Sequence, residues 1–243
     1  MSNDKEETRE EFYARIQTYD DKQDITLVEK KHEYADVYSF IFKPQHQVDF
    51  TPGCYAHVVI HDLPESAGRP VRCLSIASAP SDGVLQFTTH VRDESAHKQK
   101  LGKLKIGDFE TIYKVKGDFV LPKDQSRSVV LVAGGIGITP FRSMLLEEAH
   151  NLSSRNITLV HVSDKEYLFE KELSELPFSQ SRIKRDEINA YMETLYKEKT
   201  NAVFYASGPP GFVDVMKELF EEIGVKKENI KQDWFDNYDD SYV

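Results

Sequence analysis

The sequence predicts two successive layers, an antiparallel β barrel and then a parallel α/β half. Three observations carry this. Six short β-rich runs separated by turn signals occupy Ile25 to about Val115. After Leu121-Pro122, apolar strand-like runs alternate with amphipathic helices. Two of those later strands end in turns stripped of side chains, at Gly134–Gly137 and Ser207–Gly211.

The barrel runs are Ile25–Lys31, Val37–Lys43, Gly53–Ile60, Val71–Ala77, Val84–Val91 and Phe109–Val115. Pro52-Gly53, Ser81-Asp82-Gly83 and Ile106-Gly107-Asp108 supply the breaks. Six antiparallel strands in so short a stretch predict a closed or nearly closed barrel, with a short helix over Ser95–Leu104. In the second half the pattern predicts strands at Val129–Ala133, Ile157–Val162 and Val203–Ala206. Helices are predicted at Pro140–His150, Tyr167–Leu176, Asp186–Tyr196 and Phe212–Ile223. The last presents Phe212, Val215, Met216, Leu219, Phe220 and Ile223 on one face, with Gly224 as its stop. The domain boundaries that follow are 1–22 for an acidic N-terminal extension, 23–122 for the barrel and 123–243 for the α/β half. The extension reads as a loose helix around Phe12, Tyr13 and Ile16.

Composition narrows the classes. The 243 residues carry a net charge of −10, concentrated at the ends: residues 1–24 hold four basic and eight acidic residues, and 233–243 hold four aspartates and no base. No basic stripe suggests nucleic acid. No apolar run approaches the ~18 residues of a membrane span, and the acidic start is unlike a signal peptide, so a cytoplasmic protein is expected. Two cysteines, Cys54 and Cys73, are too few for an iron–sulfur cluster and read as buried thiols. His57 and His61 would sit on one strand face some ~13 Å apart, strand residues rather than metal ligands.

The turn Gly134-Gly135-Ile136-Gly137-Ile138-Thr139-Pro140 follows a buried strand and opens a helix. Such a turn presents backbone N–H groups and a helix N-terminus to a phosphate. Pro140 is compatible with a first helical turn, and Thr139 before it can act as N-cap. Taken alone, the turn is equally an ordinary crossover. Ser207-Gly208-Pro209-Pro210-Gly211 repeats the arrangement after a second strand, and Ile157–Val162 ends in the polar Ser163-Asp164-Lys165. In parallel α/β sheets, ligands lie across this strand edge. In the barrel, Arg69-Pro70-Val71-Arg72-Cys73-Leu74-Ser75-Ile76-Ala77-Ser78 places arginines and small hydroxyls on one strand. Arginine pairs bidentately with phosphate, although an edge strand with exposed arginines has the same composition.

These motifs together resemble the ferredoxin–NADP reductase superfamily, and more narrowly its bacterial stand-alone flavin reductases. Arg72-x-x-Ser75, Gly134 to Pro140 and Ser207 to Pro210 carry the resemblance. Pro52-Gly53, Asp93 to Lys98, Ile106-Gly107-Asp108, Gly117-Asp118-Phe119 and Asp233-Trp234-Phe235 support it over about residues 24–238. The resemblance implies that the barrel binds FAD and that a Rossmann-like α/β half binds NAD(P)H. Arg72 would hold the FAD pyrophosphate with backbone around Ala96, His97 and Lys98. Ser75 would sit at the flavin edge, within a cofactor-binding stretch of Leu74, Ser75, Ile76, Ala77 and Ser78. Thr88, His90 and Val91 would line the ribityl and adenosine side. Gly134, Gly135, Gly137, Ile138, Thr139 and Pro140 would cradle the nicotinamide dinucleotide, with Ser163 and Asp164 near its ribose. Ser207, Gly208, Pro209 and Pro210 would close over the nicotinamide, and Ser75 and Ser207 are the catalytic candidates. No metal is implied.

The implied reaction moves hydride from NAD(P)H to FAD and passes electrons to a separate redox protein or small-molecule acceptor. An alternative is a flavin- or nucleotide-binding electron-transfer subunit or sensor with little turnover alone. Three departures from the family pattern favour that alternative. Leu74 stands where an aromatic usually stacks on the flavin, Ser207 where a cysteine is common, and the 176–188 segment is short enough to lack a strand. Lys165, Arg182, Lys184 and Arg185 could meet a 2′-phosphate and Asp164 would repel one, so the choice of NADH or NADPH stays open.

Overall fold

A computed structural model describes residues 7–234 of the chain, with the side chain of Trp234 left out. Phe235 and most of the acidic C-terminal segment lie outside the described residues.

The chain opens with a docked helix. Helix α1 (Arg9–Ile16) starts at a capping box in which Thr8 and Glu11 satisfy each other's backbone N–H groups. Phe12 and Ile16, one turn apart, are buried against Val59, Val71 and Tyr113 on the outside of the barrel. Arg9 spreads its guanidinium over the carbonyls of Leu63 (2.6 Å), Pro64 (2.5 Å) and Gly68 (2.9 Å). The segment expected to be a loose extension is therefore a packed element from Glu7 onward; its i, i+4 apolar pair was the signal.

Six antiparallel strands follow: β1 (Gln23–Tyr34), β2 (Val37–Pro44), β3 (Tyr55–Val59), β4 (Val71–Ser75), β5 (Leu85–His90) and β6 (Phe109–Lys116). Their order is β4-β3-β6-β1-β2-β5, and a bridge between Ile76 and Phe87 brings the two edge strands together. Register shifts at Leu27/Glu29 and His32/Tyr34 mark bulges in β1, which bend this long strand so that it pairs with β6 at its start and β2 along its length. The barrel interior is filled by Ile25, Leu27, Phe40, Phe42, Val58, Phe87 and Ile112. Helix α2 (Ala96–Lys103), capped by Ser95, covers one end.

The second half is a parallel sheet of β7 (Val129–Gly134), β8 (Ile157–Val162), β9 (Ser179–Ile183), β10 (Val203–Gly208) and β11 (Ile230–Trp234). Its order is β11-β10-β7-β8-β9. Helices α3 (Ile138–His150), α4 (Glu170–Ser174), α5 (Ile188–Glu198) and α6 (Pro210–Glu222) cover the two faces. Strands β7, β8 and β10 are buried at every position, which explains their mainly apolar runs. Strand order runs outward from β7 in one direction through β8 and β9, and in the other through β10 and β11. The β7/β10 boundary is therefore the switch point at which such sheets open a crevice.

Several expectations are corrected. Strand β9 is present, so the short 176–188 segment does not lack a strand; the length is recovered because α4 is only five residues long. Phe169, with φ 61°, starts α4 late, which cuts back the predicted Tyr167–Leu176 helix. Thr139 is not an N-cap. A 3-10 turn over Gly135–Gly137 runs directly into α3, leaving Thr139 buried within the first turn. On α6, Val215 is 52% exposed and Val213 is buried, because the inward face is phased by Val213, Met216 and Phe220. Cys54 is buried as expected, but Cys73 points outward from β4 and is exposed. The closing strand β11 was not anticipated.

Candidate functional site

The two stripped turns meet at the switch point. A Cβ on Gly137 would lie 2.1 Å from the Ser207 carbonyl oxygen and 2.6 Å from Gly208 Cα, so only glycine allows this approach. Gly134 and Gly208 are both covered by the Phe212 ring, which stands where their side chains would be. Gly135 differs, with φ +53° and open space on its Cβ side. The three glycines of the first turn thus have separate reasons: Gly134 makes room for the Phe212 ring, Gly137 permits the two turns to touch, and Gly135 takes a positive φ facing open space. Ile138, Thr139 and Pro140 are buried, and Pro210 begins α6 behind the exposed Pro209.

Ser207 is fully buried, and its Oγ has no hydrogen-bond partner among the described residues. A buried hydroxyl left unsatisfied costs free energy unless something supplies a partner. It lies beside Asp233 in the β10–β11 register. Burial raises the Asp233 carboxyl to about 6, and the nearby Asp118 charge pushes the same way.

On the barrel side, β4 ends at Ser75, paired with Tyr55 of β3. Burial raises the Tyr55 hydroxyl pKa, and Cys73, Asp233 and Asp118 add to this. The Asp233 charge at the end of β11 is thus felt at Tyr55, the register partner of Ser75. Arg72, half-buried and opposite Val58, donates from Nη1 to the Val71 carbonyl at 2.6 Å. Leu74 shares its strand face and packs at the margin of the barrel core.

Helix α3 joins the two halves. Its N-terminus leaves the glycine turn, while Arg142 Nη1 donates to the Ala77 carbonyl (2.6 Å) and Ser143 Oγ to the Ser78 carbonyl (2.6 Å). The same guanidinium makes a two-pronged contact with Glu172, at 2.7 Å from both Nε and Nη2, and lies over the Phe169 ring. Gly53 tightens the seam, since a Cβ there would lie 2.0 Å from the Phe119 carbonyl oxygen. Arg142→Ala is expected to lower stability by about 2–3 kcal/mol, because it strands the Ala77 carbonyl and separates α3 from α4. Urea unfolding measures this, and an unchanged midpoint would remove the seam from the account.

The remaining expected site residues divide by what their side chains do. Ile76 and Ala77 are buried, and Ser78 Oγ is held by Val84 and Gln86. Thr88 Oγ1 lies 2.7 Å from Ser39 Oγ inside the barrel wall. These side chains serve the scaffold, so they could meet a cofactor only through backbone atoms. His90 and Arg92 both bind Asp36, at 2.9 and 2.7 Å. Burial alone would raise the Asp36 carboxyl, but hydrogen bonds from Arg92 and His90 outweigh it and hold the group at about 2. Val91 packs on Gly102 of α2. His97 Nε2 reaches the Arg69 carbonyl at 2.7 Å, while Ala96 and Lys98 share the α2 N-terminus, with the Ser95 hydroxyl accepting from Lys98 N–H. Ser163 Oγ closes its own turn with Glu166 and Lys165. Asp164 is taken up by Arg185 and Glu170 by Arg182, at 3.3 and 3.0 Å.

Sequence reasoning missed four residues here. Asp233 lay inside a recognised motif without being given a role. Arg142 was hidden in a helix read only for its apolar face, and Arg9 in a segment read only for charge. His161 offered no signal, since a lone histidine in an apolar strand looks like core.

A barrel joined through a seam to a parallel sheet, with paired glycine turns at the switch point, is the ferredoxin–NADP reductase type of fold. More particularly, residues 126–207 match the ferric reductase NAD-binding domain. The chain is 29% identical over 252 residues to a flavohemoprotein of Bacillus cereus, covering 88% of this chain and 61% of that one. It is 25% identical over 242 residues to flavohemoprotein A of Dictyostelium discoideum, with 88% and 60% covered. The chain thus spans about 60% of the length of these curated relatives. Among solved structures it is similar to the flavohem-like FAD/NAD-binding domain of nitric oxide dioxygenase from Vibrio cholerae, with a TM-score of 0.73 and 24% identity. That match covers 88% of this chain and 98% of the other. The ferredoxin reductase of carbazole 1,9a-dioxygenase gives a TM-score of 0.76 at 18% identity, with 88% and 69% covered. Among the described residues no helix is long and apolar enough to cross a membrane.

Proposed function

We propose that this chain is an FAD-dependent NAD(P)H oxidoreductase that takes hydride from the dinucleotide and delivers electrons to a separate redox protein or small-molecule acceptor. The observation that carries the reading is the pair of glycine turns packed together at the β7/β10 switch point, with the unpartnered Ser207 Oγ beside them.

The residues present fit both ligands chemically. On the barrel, the Arg72 guanidinium and the α2 N-terminus form a donor set suited to the FAD pyrophosphate. On the sheet, Gly135 and the start of α3 suit the dinucleotide pyrophosphate. FAD, when bound, supplies a two-electron acceptor that can release electrons singly. The protein's own work is positioning: it must bring donor and acceptor carbons and nitrogens to roughly 3–3.5 Å with water excluded. Ser207 Oγ offers a hydrogen bond to the nicotinamide end, and Ser75 to the flavin edge. Asp233 holds a proton on its carboxyl below about pH 6 beside Ser207. The α3 seam keeps the two halves in fixed relation.

Arg182 and Arg185 are already partnered by carboxylates, which reduces the positive charge free to meet a 2′-phosphate. NADH is the expected donor on that ground. Quenching of free FAD fluorescence on adding the protein tests the flavin site. The wild-type chain is expected to quench, with Arg72→Ala binding at least tenfold more weakly. Fluorescence unchanged by the wild-type chain would overturn the reading. Leu74, which offers apolar contact where a stacking ring would hold the flavin more firmly, keeps a second reading in view: a flavin-binding subunit or sensor with little turnover alone.

A further inference from the structure

One carbonyl determines how the first glycine turn faces its ligand. The Gly135 oxygen accepts the Ile138 N–H from within the turn, and His161 Nε2 lies 2.9 Å from the same oxygen. Both lone pairs are thus filled, one from the turn and one from the neighbouring strand. His161 stands on β8 in register with Ala133 of β7, and its side chain is almost completely buried. Its ring meets the edge of Tyr167 at 5.3 Å and 75°, and shares a small cavity with Leu159, Leu168, Leu173 and Arg182.

To meet a carbonyl, Nε2 must carry the ring proton, which leaves Nδ1 bare. Burial lowers the ring's pKa to about 4 despite the bond to Gly135, so the neutral imidazole is the donor at physiological pH. In a trans peptide the carbonyl of one residue and the N–H of the next point in opposite directions. Holding the Gly135 oxygen toward β8 therefore turns the Ile136 N–H away from β8.

We infer that His161 is a positioning residue for dinucleotide binding, its Nε2–H fixing the Gly135–Ile136 peptide plane so that the turn presents N–H to a phosphate group. This rests on the reading of the turn as a dinucleotide site. His161 touches no ligand itself. A histidine retained only for packing would be replaceable by any apolar side chain of similar volume; one retained as a donor would not.

The test uses the full FAD-loaded chain and calorimetric titration with NAD⁺ and NADP⁺. Wild type is expected to bind at least one. His161→Leu is expected to weaken that binding roughly five- to tenfold, in line with one lost hydrogen bond. It should raise KM for the reduced dinucleotide by a similar factor and leave kcat at saturation unchanged. His161→Gln, whose amide nitrogen can reach the same carbonyl, should restore affinity to within about twofold of wild type. If His161→Leu binds like wild type, or if His161→Gln is as weak as His161→Leu, the inference is overturned while the dinucleotide reading stands. If the wild type binds neither dinucleotide, that reading itself fails. Should His161→Leu not fold, ¹⁵N shifts of the wild-type ring read the same contact. Protonation at Nε2 with a bare Nδ1 is expected, and the opposite tautomer would overturn it.

Discussion

Gly137→Ala is expected to cost about 3–5 kcal/mol of stability and to weaken dinucleotide binding at least a hundredfold. The added Cβ would lie 2.1 Å from the Ser207 oxygen and 2.6 Å from Gly208 Cα. Both are backbone atoms, so no side chain can swing away to make room. The backbone of Gly137 itself is unstrained, with φ −59°, and the whole effect comes from what the methyl group would strike. The two turns would have to separate by about an ångström, which moves the N-terminus of α3 relative to the Ser207–Gly208 tip. Gly135→Ala is the contrasting case. It meets nothing within contact distance but must adopt φ +53°, a penalty on the order of 1–2 kcal/mol. Chemical unfolding and dinucleotide titration of the two variants side by side check the ordering. Equal losses would mean that contact between the turns is not what Gly137 provides.

The second large effect concerns Glu110, a carboxyl with no exposure inside the barrel wall. Its Oε2 accepts the His61 N–H at 2.7 Å, and its Oε1 has no hydrogen-bond partner among the described residues. Burial raises its pKa to about 8, only partly opposed by the His61 N–H. The folded state therefore holds a proton that the unfolded chain releases at its ordinary carboxylate pKa. Between these two values the unfolded state binds fewer protons than the folded one, so stability falls as pH rises from about 4.5 to about 8. The full shift corresponds to an upper bound on the order of 5 kcal/mol. Glu110→Gln keeps an oxygen for His61 and removes the ionisation. It is expected to match wild type near pH 4 and to exceed it by about 2–4 kcal/mol above pH 8. Urea midpoints measured across this range for both proteins decide it, and a wild-type midpoint flat from pH 5 to 8.5 would contradict the assignment.

Much of the architecture was legible because burial and periodicity coincide. Val129–Ala133 reads as a strand because both its faces are covered, and the six barrel runs read as strands because turn residues cut the chain into short β-rich segments. The glycine turns were legible for a similar reason, since each removes side chains at a place where two backbones or a ligand approach. Elements set by long-range contacts were not readable. Strand β9 carries Ser179, Gln180 and Arg182, a polar composition, and is a strand because β8 offers it an open edge. Thr139 looked like an N-cap because nothing local reveals that a 3-10 turn would merge into α3. Val215 was misplaced because several apolar residues flank the stripe that packs on the sheet, and the packing selects Val213, Met216, Leu219 and Phe220 and leaves Val215 outside. Arg142 and His161 act through carbonyl groups of distant segments, and sequence holds no local trace of such bonds.

Anaerobic titration of the FAD-reconstituted chain with NADH, followed by NADPH, tests the central proposal most directly. Loss of the flavin's visible absorption at close to one equivalent of NADH, with NADPH less effective, is the predicted result. A protein that binds FAD but stays yellow with both dinucleotides would contradict hydride transfer and leave the binding-subunit reading in its place.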